Sequence, residues 1–235
     1  MVITLSRQAE SGGDEIAESI AASTGLRIAD RVVLEQMAQR AGLPVSYLEV
    51  FDESVPGPVE ALLAEWQTSV SQAVYMRRLV HTLLMLERED NVIIVGRGGA
   101  FVLTNPGTLH ARVIAPMPCR VARLMERQSV SQAQAERILR RIDEERQRFI
   151  HAIFGADINA PPHYDLVLNT AELSYAAAAD ILVRAAEHKA RQRQLAPTAS
   201  EDIVARVLHL QRRPHQPRVS EVVWRYCQRR PRTGF

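Results

Sequence analysis

Lysine is almost missing from this chain. Of its 29 basic residues, 28 are arginine and only Lys189 is lysine. Arginine forks onto planar anions more readily than lysine does, and a phosphate-binding loop that relies on a lysine has almost nothing to draw on. Cysteine is scarce as well: Cys119 and Cys227 make no disulfide framework, and neither has metal-ligand spacing. The seven histidines contain no His-x-x-x-His pair, which argues against zinc. No apolar run approaches the ~20 residues that span a bilayer, so no membrane partner is expected. The opening Met1–Arg7 has neither a basic stretch nor a cleavage site, so a cytoplasmic protein is expected rather than a secreted one. No Ser/His/Asp, paired-carboxylate or metal constellation stands out, which removes protease and nuclease readings.

What is present suits a folded enzyme-sized body. The chain has 235 residues, 46% hydrophobic and 24% charged, enough for one larger domain with an appendage. Its net charge of +2 hides an asymmetry. Residues 189–235 carry 11 basic side chains against three acidic ones, while residues 1–188 carry 18 basic against 24 acidic. The tail is a different kind of surface from the body.

Strand and helix signals alternate along the body. Val2–Leu5 is a short apolar run, followed by Gly12-Gly13 and helical spacing from Asp14 that Gly25 stops. Leu26–Ala29 is a second strand candidate, and Pro56-Gly57-Pro58 breaks the chain before a long helical stretch from Val59 to about Arg88. Val92–Val95 is four apolar β-formers in a row, the mark of a strand buried on both faces. Ala111–Ala115 and Leu166–Leu168 complete the strand candidates, with helices expected around 118–128, 131–150 and 174–191. Alternation of this kind means an α/β sheet with a parallel core.

Ligands in such sheets gather at the carboxyl ends of strands, and three ends here are unusual. Ser6–Glu15 is a glycine-containing turn into a helix N-terminus, suited to a phosphate, although an ordinary strand-to-helix turn has the same spacing. Val95–Gly99 lets a backbone approach a ligand closely and offers Arg97 as a fork for phosphate or carboxylate. Asp30-Arg31 follows the second strand, where a cap and surface charge explain it equally well. A fourth feature is the helix Glu136–Arg148 with Arg137, Arg140, Arg141, Arg146 and Arg148. Arg140–Glu144 and Arg141–Glu145 pairs would make it a solvated face; the alternative is a mobile lid, since phosphoryl transfer spreads charge that positioned arginines stabilise.

In order, these pieces resemble the cytidylate kinase-like family, a branch of the P-loop nucleoside monophosphate kinases. The residues that carry the resemblance are Ile3–Gln8, Ser11–Gly13 with Glu15–Ala17, Ala29–Arg31, Phe51–Glu53, Ile94–Gly98, Arg123, Met125–Arg127, Arg141–Arg146 and Tyr164–Thr170. The resemblance implies a three-layer α/β P-loop fold with a five-stranded parallel sheet, an ATP site, an acceptor site and an arginine lid at about 131–155. It implies ATP-dependent phosphoryl transfer to a nucleoside monophosphate, CMP or dCMP, with Mg²⁺ carried by ATP. Ser6, Arg7, Ser11, Gly12 and Gly13 would cradle donor phosphates and Glu15 would hold the metal. Asp30, Arg31, Gly96 and Arg97 would face the acceptor; Arg137, Arg141 and Arg146 would clamp the transferring group, oriented by Asp143.

The loop departs from its relatives. Glu10 stands where they have a first glycine and Asp14 where they have a basic residue; against true cytidylate kinases, Gly13 occupies the lysine position and Glu15 the metal-binding hydroxyl position. These departures raise the rival reading, a pseudokinase that binds a nucleotide or partner without transfer. The domain is expected over residues 1–193, with a basic helical extension over 194–235. The extension's apolar Ile203, Val204, Val207 and Leu208 favour docking on the body or on a second subunit of a homodimer. Nucleic-acid binding through Arg212, Arg213, Arg218 and Arg225, with Trp224 and Tyr226 nearby, stays open as the less favoured alternative.

Overall fold

The computed structural model describes residues 1–29 and 69–193. Asp30, Arg31, Phe51–Glu53 and the extension 194–235 lie outside the described residues.

The body is a five-stranded, all-parallel sheet in the order β2-β3-β1-β4-β5. Its strands are β1 (Val2–Arg7), β2 (Arg27–Ala29), β3 (Val92–Val95), β4 (Thr108–Ile114) and β5 (Leu166–Asn169). Helices α1 (Gly13–Thr24), α2 (Ser69–Glu89), α3 (Gly99–Val102), α4 (Met117–Gln128), α5 (Gln132–Phe154) and α6 (Tyr175–Arg193) connect and cover them. The parallel α/β architecture expected from the alternation is therefore present, with the five strands that the resemblance implies.

β1 lies at the centre, with Val2–Leu5 aligned on Val92–Val95 of β3 and Val2–Arg7 aligned on Thr108–Val113 of β4. Burial on both faces makes β3 a continuous apolar run and Val2–Leu5 of β1 apolar except for Thr4. One face packs Ile3, Leu5 and Ile93 against Ile16 and Ile20 of α1 and Leu182 of α6. The small residues Ala178, Ala179 and Ala186 let α6 approach the sheet closely. The other face packs Val2 and Ile94 against Leu83 of α2, Phe101 of α3 and Ile153 and Phe154 of α5. A smaller cluster ties Ala9, at the end of β1, to Val121 and Leu124 of α4 and Ala135 and Leu139 of α5.

Most boundaries lie within two residues of the spacing-based expectation, and two differ by more. β4 begins at Thr108 rather than Ala111 because its polar residues are buried with partners: Thr108 Oγ1 donates to Glu87 at 2.6 Å, and His110 Nδ1 lies 2.7 Å from Thr4 Oγ1. α5 runs on to Phe154, where Gly155 at φ 63° ends it, and starts from a reciprocal capping box of Ser131 and Gln134. Among the described residues no helix is long and apolar enough to cross a membrane.

Candidate functional site

The carboxyl end of β1 turns into α1 through Gln8–Gly12. Gly12 sits at φ 83° as the N-cap of α1, and a Cβ there would lie 2.1 Å from the ring of Tyr175. Only glycine fits that position. Glu10 is also left-handed, at φ 55°, where a side chain costs roughly 1–2 kcal/mol. The backbone thus keeps the conformation of a glycine position although a glutamate fills it.

Arginines fix this loop from outside. Arg146 Nη1 of α5 donates to Arg7 O at 2.7 Å, Arg120 Nη1 of α4 to Ala9 O at 3.3 Å, and Arg123 Nη1 of α4 to Glu10 O at 3.0 Å. Arg123 also reaches Thr170 O at 3.0 Å, and Thr170 Oγ1 donates to Ser11 O at 2.7 Å. Ser11 Oγ is turned inward to Gln8 O at 2.8 Å. With its carbonyl oxygens held by α4, α5 and the turn after β5, the loop is rigid and leads directly to the N-terminus of α1, whose free amides and dipole favour an anion.

Arg7 lies across the loop. A Cβ built at Gly13 would sit 2.7 Å from Arg7 Cβ and 2.9 Å from Arg7 Cδ, so the arginine stem fills the space a side chain at 13 would take. Its Nε is 2.9 Å from Asp14 Oδ1. Arg7 thus sets a cation beside the turn at Gly13.

Carboxylates surround the same turn. Glu10 pairs with Arg127, yet burial pushes its carboxyl above the usual range; Arg127 pulls it back and Glu15 and Asp14 push it further up. Tyr175, against the loop, is likewise raised, first by burial, with Arg123 opposing and Glu15 and Glu10 adding. Glu15 is exposed in the first turn of α1. Magnesium typically takes one or two carboxylates beside phosphate oxygens and water. Among the described residues no group of three or more His, Cys, Asp or Glu gathers to hold a metal. Glu15 is an exposed carboxylate of the kind that could supply such a ligand to an ion arriving with a nucleotide.

Ser6, Arg7, Ser11, Gly12, Gly13, Asp143 and Arg146 meet around the loop. Asp143 does not contact the lid arginines as expected: Oδ1 accepts from Ala9 N at 2.9 Å, and Oδ2 is 2.5 Å from Arg120 Nη1. The reason is burial. Arg120 is 4% exposed and needs a counter-charge. Arg137 and Arg141 are exposed on α5; Arg137 Nε reaches back to Ala133 O at 3.3 Å, and Arg141 Nε is 2.9 Å from Glu145 Oε1. Gly96 (φ 74°) and Arg97 (φ 55°) form the turn after β3, tied to β1 by Gly96 N donating to Leu5 O at 2.9 Å. That places them beside the phosphate-type loop. Arg120, which supports the loop, and Arg112 of β4 were missed by sequence reasoning, because a single arginine in an apolar strand or a charged helix has no spacing signal.

An all-parallel sheet whose central strand runs through a glycine turn into a helix, flanked by arginine-bearing helices, defines a P-loop kinase-type α/β protein. Residues 2–172 match the cytidylate kinase-like family, and the chain belongs to it. It is 27% identical over 190 residues to the cytidylate kinase of Pyrococcus horikoshii, covering 80% of this chain and 89% of that one. With the cytidylate kinase of Thermococcus kodakarensis it shares 28% over 173 residues, 73% of this chain and 80% of that one. A uronate isomerase of Corynebacterium glutamicum is 36% identical over 95 residues, but those are 40% of this chain and 18% of that protein's length. The fold is also that of a crystal structure from Eubacterium ventriosum, with TM-score 0.60 at 16% identity, covering 80% of this chain and 98% of that one.

Proposed function

We propose that this protein transfers the γ-phosphoryl group of ATP to a nucleoside monophosphate, with CMP or dCMP as acceptor. Membership of the cytidylate kinase-like family supports nucleotide kinase activity. The observation that carries the reading is Arg7 laid across Gly13, which returns a cation to a loop that has no lysine.

The loop amides and the α1 N-terminus bind donor phosphates, and Arg7 exchanges its contact with Asp14 for a phosphate oxygen. Gly96 and Arg97 face the acceptor, as Asp30 and Arg31 do on this reading. Arg137, Arg141 and Arg146 close over the reacting groups and exclude water. Asp143 holds Arg120 and the loop rather than substrate. Glu15 would meet Mg²⁺ carried by ATP, and the ion would supply charge neutralisation to the phosphates. No general base is required, since the acceptor phosphate is already anionic at neutral pH. The active protein would work in the cytoplasm, where its substrates are.

A specific observation favours the rival reading, a nucleotide-binding pseudokinase: Glu10, Asp14 and Asp143 all place carboxylates on the loop, and Asp143 occupies the Ala9 amide. Coupled ADP release over the common nucleoside monophosphates separates the two. Acceptor-dependent turnover that Arg141→Ala abolishes is expected; ATP binding without turnover assigns the pseudokinase.

A further inference from the structure

Arg112 is a buried cation without a counter-charge among the described residues. It lies in β4, opposite Ser6 of β1, and is 4% exposed. Nη1 donates to Ser6 Oγ at 2.8 Å, Nη2 donates to Asn159 Oδ1 at 2.7 Å, and the guanidinium carbon is 5.7 Å from the Tyr164 ring centre. Both acceptors are neutral, and among the described residues no carboxylate pairs with it. The carboxylate of its own loop, Asp157, is exposed and accepts from Asn159 N at 2.8 Å. Tyr164 does not supply the charge either: burial raises its phenol, against smaller opposing effects of Ser6 and Arg112. Removing a guanidinium from water without an anion is costly. Two of its five N–H groups are used by these acceptors.

The neighbouring groups leave a hydroxyl donor beside Arg112. Ser6 Oγ accepts from Arg112, and its other neighbour, Tyr164 Oη, is 3.4 Å away and donates at 2.8 Å to Ile158 O. The serine hydroxyl hydrogen is thus available to a closer acceptor. Asn159, the other partner of Arg112, is exposed. Ser6 shares its face of β1 with Thr4, whose methyl lies against Gly99 at the start of α3. Arg112, Ser6 and the Gly96–Arg97 turn therefore stand at adjacent carboxyl ends of β4, β1 and β3, on the face away from α1.

We infer that Arg112 and Ser6 form an anion subsite, distinct from the loop at α1, that receives the phosphate of the acceptor nucleotide. This assignment rests on the kinase reading for the identity of the acceptor. A phosphate monoester supplies two oxygens to the guanidinium fork and one to the serine hydroxyl. The subsite also explains why a charge is kept in an apolar strand.

The test compares Arg112→Met and Arg112→Lys with wild type by calorimetry and thermal melting, using CMP, cytidine, ATP and inorganic phosphate as probes. Arg112→Met is expected to weaken CMP by about 10- to 100-fold, leave cytidine and ATP within about threefold, and melt no lower than wild type. Arg112→Lys should recover part of the CMP affinity. Equal CMP affinity in wild type and Arg112→Met overturns the subsite while leaving the kinase reading intact. If wild type binds no CMP, the nucleotide reading fails, and phosphate decides the subsite alone: a phosphate-induced rise in melting temperature that shrinks in Arg112→Met supports it, and an unchanged rise overturns it. Should Arg112→Met fail to fold, Ser6→Ala provides the same comparison, with loss of CMP but not cytidine expected and equal loss of both contradicting the assignment.

Discussion

Arg7 and Gly13 occupy one volume: a Cβ added at residue 13 would meet the Arg7 stem at 2.7 Å. The two positions are therefore coupled, and a cation can stand on either but not on both. Glu10 at φ 55°, Gly12 at φ 83° and the arginines on the loop's carbonyls hold the backbone around them in place.

The coupling predicts a charge swap. Arg7→Ala should weaken ATP by about 10- to 100-fold, the scale of one or two charge-assisted hydrogen bonds. Gly13→Lys alone should destabilise the fold by overpacking, about 1–3 kcal/mol. The double variant Arg7→Gly/Gly13→Lys, which also removes the Arg7 Cβ, should recover melting temperature relative to Gly13→Lys and ATP affinity relative to Arg7→Ala. Additive losses in the double variant would show that the two residues do not share a role.

Glu10 gives a pH signature. Its carboxyl is raised above the ordinary 4.5, chiefly by burial, so the folded protein takes up a proton that the unfolded chain does not. The stabilising contribution of this group is complete below 4.5 and is lost as pH rises through the higher folded-state value. Glu10→Gln removes that dependence. The variant should melt higher than wild type at neutral pH, with the gap closing in acid below pH 4.5. Loss of the Arg127 pair should matter little because Arg127 is 59% exposed. A gap that widens in acid would contradict the assignment.

Asp143 and Arg141, two residues apart on α5, should behave oppositely. Asp143→Asn leaves the buried Arg120 uncompensated and should cost about 2 kcal/mol or more in urea unfolding. Arg141→Ala removes an exposed pair with Glu145 and should stay within about 0.5 kcal/mol while removing turnover. Equal stability losses would place Arg141 in the structural scaffold.

Closure of the lid is expected to show in amide exchange. Residues 131–155 should gain protection when a two-substrate mimic is added, since crowded arginines separate best when no anion is present. Unchanged exchange, with binding confirmed by calorimetry, would make α5 a fixed, solvated helix anchored by Asp143 and Arg146.

Much of the frame was readable from residue spacing. Val92–Val95 announces a buried parallel strand, and the alternation of short apolar runs with helical periods yields the five-stranded sheet. The misjudged start of β4 has a physical cause: Thr108 and His110 look like surface residues, and only the fold reveals that their polar atoms meet Glu87 and Thr4. The same applies to the site. Gly12, Gly13 and Arg7 could be named from the turn between β1 and α1, but the crossing of Arg7 over Gly13, and the bridge from Asp143 to Ala9 and Arg120, depend on residues far apart in the chain.

The most direct test of the kinase reading follows the phosphoryl group itself. ATP labelled at its γ-phosphoryl, incubated with Mg²⁺, CMP and the purified chain, should yield label on a cytidine diphosphate, with no label transferred by the Arg7→Ala variant. Label that stays on ATP with CMP and with every other nucleoside monophosphate, in a protein shown by calorimetry to bind ATP, would contradict phosphoryl transfer and leave a nucleotide-binding pseudokinase.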